Sequence, residues 1–316
     1  MKKLIIIPIV ISGTLLFLAG SALMGYAIYK GVKDRKTNNE TKEFVIEEDF
    51  TKFDIDINTS NLSFHKTEDG TKKVVYEVNE KVTTDVNIED SSLKITQKED
   101  NIRWWKYIFF NSKTNIDVYL PVQEFVSLTI KNDTGDISMV DGYSFESIDV
   151  KSSTGDAKFS TVNADQTKIE ASTGNIEISE METKGVDVKA STGKIKLNVV
   201  NVEENIVANL STGDITLNEV KAKNLDIKTS TGKQIYTNTL ITENIKAKAS
   251  TGDITFNDSD AETLDIETDT GDVRGTLLTG KTFQCFTDTG KVRVPETTGG
   301  ICKVKTDTGD IILSIK

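Results

Sequence analysis

From Leu128 to Lys316, apolar and polar residues alternate with period two, and the alternation restarts in the same phase every nineteen or twenty residues. Each restart carries a Thr-Gly pair inside an STGD, STGN, STGK, DTGD or DTGK tetrapeptide. The glycines are Gly135, Gly155, Gly174, Gly193, Gly213, Gly232, Gly252, Gly271, Gly290 and Gly309, spaced 20, 19, 19, 20, 19, 20, 19, 19 and 19 residues apart. Counting from each glycine, positions −7 and −5 are mostly apolar, as in Leu128/Ile130, Val186/Val188 and Leu264/Ile266. Positions +2 and +4 are apolar again, as in Ile176/Ile178, Ile215/Leu217 and Ile254/Phe256. Gln234 breaks the series and reads as a one-residue insertion that moves Ile235 into the inward role. Alternation on both sides of a tight turn predicts two short strands per repeat, each burying one face. Val220 and Ala222, at +7 and +9, start a third face.

Hairpins would leave these strands without a core partner, whereas coils of equal length and phase stack like on like about 4.8 Å apart. The glycine supplies the φ > 0 corner that a side chain would penalise. The expected fold is therefore all-β, a parallel β-solenoid (β-helix) taken as right-handed, with ten coils over residues 128–316. Residues 43–127 repeat the phase less regularly, with Ser60 and Ser91 each standing at a coil corner. Val74-Tyr76-Val78 and Ile116-Val118-Leu120 read as extra strands. At the C-terminus Ile311, Leu313 and Ile315 still alternate, with no cap after them.

Lys2 and Lys3 precede an uncharged run of 26 residues, Leu4–Tyr29. At 1.5 Å per residue such a helix reaches about 39 Å, enough to cross a bilayer core. Residues 1–30 thus read as a retained transmembrane anchor, with cleavage after Gly25-Tyr26-Ala27 as the alternative. Ser21 stands where a lipoprotein would carry its cysteine. Lys30, Lys33, Arg35 and Lys36 after the span favour a cytoplasmic body by the positive-inside rule. A signal-anchor so near the N-terminus favours an exported one. The expectation is a single-pass cell-membrane protein with an extracytoplasmic body, joined through a polar tether at residues 31–42.

Composition removes several function classes. One histidine argues against Ser-His-Asp or Cys-His catalysis, and two cysteines cannot build a disulfide framework. Residues 37–316 hold 32 basic and 48 acidic residues, so nucleic acid is not an expected partner. No cofactor and no catalytic residue is assigned.

Asp-Thr-Gly at Asp133, Asp269, Asp288 and Asp307 matches the aspartic-protease triplet, but here it is a variant of the corner. Asp269, Asp288 and Asp307 share position −2 of the last three repeats, a ladder that could take Ca²⁺ or stand as a screened surface row. In chain order Lys291 lies between Asp272 and Asp310. Acid pairs at such spacings also occur in glycoside hydrolases, a minor alternative. Trp104, Trp105, Tyr107, Phe109 and Phe110 form an aromatic insert, read as a cap over the first coil or as a membrane or partner contact. His65 should point outward, and Cys285 and Cys302 inward as offset free thiols.

The iterated [SD]-T-G-[DNK]-[IV] corners, the insert Arg103–Phe110 and the strand end Tyr119-Leu120-Pro121 resemble a bacterial adhesin-type β-strand-repeat family of unknown function, the LiaG-like group, over residues 44–316. The resemblance implies an N-terminally anchored, outward-facing protein of Gram-positive-type bacteria, sometimes linked with envelope stress. The expected role is an adhesin-like or structural protein with a protein or surface-glycan partner. The alternative is an envelope-stress sensor or accessory factor acting with membrane partners. The last strand, 311–316, is the expected edge for self-association.

Overall fold

The computed structural model describes residues 39–79, 82–99, 114–140 and 142–316. The anchor, most of the tether and the aromatic insert fall outside these residues. Among the described residues no helix is long and apolar enough to cross a membrane.

Those residues form strands wound into one parallel solenoid. Each rung, named here by its corner glycine, stacks on the next in strict register. Val150 pairs with Ile130 on one side and Ile169 on the other. Ile176 pairs with Ile195, and Ile195 with Ile215. The inward rows are almost fully buried, Val220 and Ala222 of the third face among them, and one continuous apolar core fills the tube. The twenty-residue repeats keep register through local shifts, as between Asn201 and Asn205, so the extra residue never reaches the corner.

The repeat consensus has a direct physical reading at the corner. Every corner glycine lies at φ between +130° and +157°. A Cβ on Gly155 would overlap the carbonyl of Gly135, and one on Gly174 that of Gly155. The residue after the glycine serves the neighbouring rung: the backbone N–H of Asp156 donates to Asp136 Oδ1 (2.9 Å), that of Asn175 to Asp156 Oδ1 (2.8 Å) and that of Lys194 to Asn175 Oδ1 (3.0 Å). Asp and Asn therefore recur there because each accepts a bond from the next rung. A second corner, six residues on, is left-handed without glycine: Thr161, Glu180, Val199, Glu219, Asn238 and Asp258 have φ of 48–55°.

Four expectations need correction. Gln234 is not an insertion. It takes the +2 position itself, in register with Ile215 and Ile254, and is fully buried. Its Nε2 donates to Thr229 Oγ1 (3.0 Å) and the Lys248 carbonyl (2.7 Å), while the Tyr236 hydroxyl donates to Gln234 Oε1 (2.7 Å). A satisfied amide can occupy an apolar row. Ser91 is not a coil corner either. Val82–Glu89 and Ser92–Glu99 form an antiparallel hairpin turned by Asp90 and Ser91, both left-handed at φ 52° and 59°.

The third and fourth corrections concern the far end, where chain order and spatial order differ. The strand Thr263–Thr270 pairs with Gly300–Thr308, and Lys281–Thr289 pairs with the other edge of Gly300–Thr308. Ile311–Ile315 lies against Val273–Leu277, with Val292–Arg293 on its opposite side. The last coil is thus intercalated, giving the order Gly271, Gly309, Gly290. Ile311 and Ile312 are therefore covered by Val292–Arg293, whereas Leu313–Ile315 have no strand on that side among the described residues; Lys281–Thr289 is the outermost strand of its own face. Asp310, and not Lys291, is the middle residue of its row.

Charge and hydrogen bonding account for this order. Intercalation sets Asp265 and Glu267 against Lys303 and Lys305, where chain order would face them with Gln284 and Phe286. Arg274 bridges Asp272 (2.7 Å) and Asp310 (3.4 Å). The N–H of Asp310 finds Asp272 Oδ1 (2.7 Å) and that of Lys291 finds Asp310 Oδ1 (2.9 Å). Lys291, which has no side-chain acceptor, is left where no further rung needs one. A buried ion pair completes the arrangement. Lys281 Nζ lies 2.7 Å from Asp260, with side-chain exposures of 3% and 10%. Lys281 aligns with Gly300, where a Cβ would overlap the Glu262 carbonyl.

Candidate functional site

A groove of about 1040 Å³ runs along the tube from the Gly135 rung to the Gly271 rung. Two rows build it, because residues four and two positions before each glycine both face outward on the same strand. The first row is Lys131, Lys151, Glu170, Lys189, Asn209, Lys228, Lys248 and Glu267. The second is Ser153, Ser172, Ser191, Ser211, Ser230 and Ser250, with Asp133 and Asp269 at its ends. The buried residues between the rows are mostly small, Ala171, Ala190 and Ala249 among them, with Leu210 the larger exception.

Four of the five cations of the first row are tethered, Lys131 by Asp56 (3.2 Å). Lys189 pairs with Asp187 (3.1 Å) and Lys228 with Asp226 (3.5 Å), while Lys168 pairs with Glu170 (3.0 Å). Lys248 bonds Glu267 of the next rung. The hydrogen bond to Lys168 holds the Glu170 carboxyl below its usual range, and that to Lys248 does the same for Glu267. The groove therefore presents six hydroxyls in line beside a row of positioned charges. Its chemistry is that of a linear array of hydrogen-bond donors and acceptors. The one histidine, His65, lies elsewhere: it stacks on Tyr119 (4.7 Å) and bonds Asp117 (2.8 Å).

The acid row of the sequence reading is real as a neighbourhood. Asp269, Asp307 and Asp288 stand on adjacent rungs in that spatial order. Asp307 is paired with Lys305 (3.2 Å). Among the described residues, no group of three or more His, Cys, Asp or Glu side chains could hold a metal ion. The aromatic residues Trp104–Phe110 lie outside the described residues, between Glu99 and Thr114. Those two strands form the outermost parallel rung on the Ser60 side, since Lys52–Ile57 pairs with Ser92–Glu99 and Ser60–Lys66 with Thr114–Leu120.

Cys285 and Cys302 are free thiols, aligned with Val304 and Phe283 as offset neighbours. Burial pushes the Cys285 thiol up to about 11 and the Cys302 thiol up to about 12. The groove itself was missed in the sequence, although a recurring serine beside a recurring lysine was its visible signal.

The sequence model of the Toastrack DUF4097 family matches residues 50–206 and 201–316. Among solved structures, a candidate adhesin from Parabacteroides distasonis ATCC 8503 is similar at TM-score 0.50 and 13% identity, covering 88% of this chain and 98% of its own. One from Parabacteroides merdae ATCC 43184 has TM-score 0.47 and 15% identity, covering 89% and 98%. One from Bacteroides fragilis NCTC 9343 has TM-score 0.40 and 12% identity, also covering 89% and 98%. At these identities the likeness is one of fold. No curated protein sequence matches the chain.

Proposed function

The chain belongs to the Toastrack DUF4097 family, and from that premise we propose that it is a membrane-anchored, cell-surface interaction protein of adhesin type. In this reading Leu4–Tyr29 holds the chain in the membrane and the solenoid stands outside as a rigid post. The post binds an extended surface polymer, a glycan, along the groove. The observation that carries the reading is the groove's one-dimensional regularity: the same hydroxyl recurs once per rung, about 4.8 Å apart, on six successive rungs. A small compact ligand would use one or two of these positions, whereas a linear polymer uses all of them.

Two measurements test it. Protease added to intact cells should remove the solenoid, and full protection would place the body inside and end the reading. Full-length protein should co-sediment with purified insoluble wall glycan. Replacing Ser191 and Ser211 by Tyr, which fills the groove without touching the core, should abolish co-sedimentation with the melting temperature unchanged. Retained binding would remove the groove from the function.

A further inference from the structure

The intercalated last coil leaves the Gly290 rung as the outer end of the tube. Its strand Lys281–Thr289 pairs with Gly300–Thr308 on one side and has no strand on the other among the described residues. Phe283 and Cys285 continue the inward row of the core but are only partly covered, as are Val294 and Ile315. On the outward row Phe286 is 56% exposed.

This edge differs from the other two. The outer strand Glu40–Val45 carries Glu40, Lys42 and Glu43, and the hairpin strand Val82–Glu89 carries Asp85 and Glu89. Charges of that kind keep strand edges from pairing. From Thr282 to Thr287 the far edge reads TFQCFT, with no charge and no proline. Beyond that stretch Asp288 is offset by Lys291 and Arg293. In a chain of net charge −11, this is the face that two copies can bring together without like-charge repulsion. A foreign partner is usually selected by charge, and here there is none to select it, whereas a strand edge always complements its own copy.

We propose that the Lys281–Thr289 edge is a self-docking site, on which a second copy of this chain pairs antiparallel through the same strand about a two-fold axis at Cys285. Phe283 then lies opposite Thr287 of the partner copy, Gln284 opposite its Phe286, and the two open cores become one. A two-fold contact of this kind closes on itself, so it gives dimers and not filaments. The two Glu40–Val45 strands end up toward opposite extremes of a doubled rod, which, resting on the proposed function, suits joining two membranes.

The test uses the full-length chain in detergent. Light scattering should give twice the protein mass of one chain for the parent, and the single-chain mass for Gln284→Lys and Phe286→Lys. Both changes sit on the outward row and leave the core intact. Opposed Cα atoms in an antiparallel pair are about 4.5–5.5 Å apart, within disulfide range. Copper phenanthroline and oxygen, which take up the two electrons and two protons released, should therefore link the dimer through Cys285. Cys302→Ser should still link and Cys285→Ser should not. A single-chain mass for the parent, a dimer that survives either lysine, or a dimer that fails to link through Cys285 would each overturn the proposal.

Discussion

Two corners of the same coil treat φ > 0 differently, and the difference is steric. At the Thr-Gly corner the backbone of the rung below lies against the glycine, so conformation and space both require the absence of a Cβ. At the second corner the conformation is left-handed but ordinary side chains fit, from Thr161 to Asp258. Thr161 and Val199 are the worst suited of them, β-branched residues both at φ 55°. Gly193→Ala should cost about 2–3 kcal/mol by overlap with the Gly174 carbonyl. Val199→Asn should gain about 1 kcal/mol by relieving left-handed strain. Urea denaturation of the two variants reads both. A neutral Gly193→Ala would mean that the corners do not stack as closely as described. The second corner was invisible in the sequence because no residue type marks it.

Within one rung, the strand Gln234–Thr237 shows how an element absorbs a polar residue. Gln234, Tyr236 and Thr229 satisfy one another inside the tube, and burial pushes the Tyr236 phenol well above its ordinary value. Tyr236 also stacks on Phe256 of the next rung at 4.7 Å. Tyr236→Phe keeps that stacking but strips Gln234 Oε1 of its donor, and should cost about 1–3 kcal/mol. Gln234→Ile should cost a similar amount by stranding the Tyr236 hydroxyl. The double variant removes both partners and should lie above the sum of the two in stability, as thermal unfolding can check. Additive losses would mean the network is not a unit. The alternation rule misread this strand because it registers polarity and cannot register a partner 14 residues away, the Lys248 carbonyl.

Across the whole molecule, the decisive feature is the insertion of the last coil between two earlier ones. The strand Lys281–Thr289 is held by Gly300–Thr308 and by the Lys281–Asp260 ion pair. A chain truncated after Gly299 therefore loses an internal rung, not an end. Limited proteolysis should then cut freely within 278–299 while sparing 39–277. Protection of 281–289 in the truncated chain would show that it restacks directly on Thr263–Thr270. The buried pair sharpens the case: Lys281→Met strands Asp260 in a site where four other groups already donate to it, Ala261 N, Leu278 N, Thr279 N and Thr279 Oγ1. The expected loss is about 3–5 kcal/mol, concentrated at that end and visible by hydrogen exchange.

Periodic spacing, the in-phase apolar rows and the invariant corner glycine were enough to specify a stacked tube, because each of them is a local requirement repeated without change. The same residues could not specify which rung neighbours which at the end, since every rung offers the same backbone ladder to every other. Charges far apart in the chain broke that degeneracy: Arg274 between Asp272 and Asp310, Asp260 with Lys281. The groove was written in two columns of the repeat, but only the stacking of the rungs in three dimensions lines those columns up into one continuous surface.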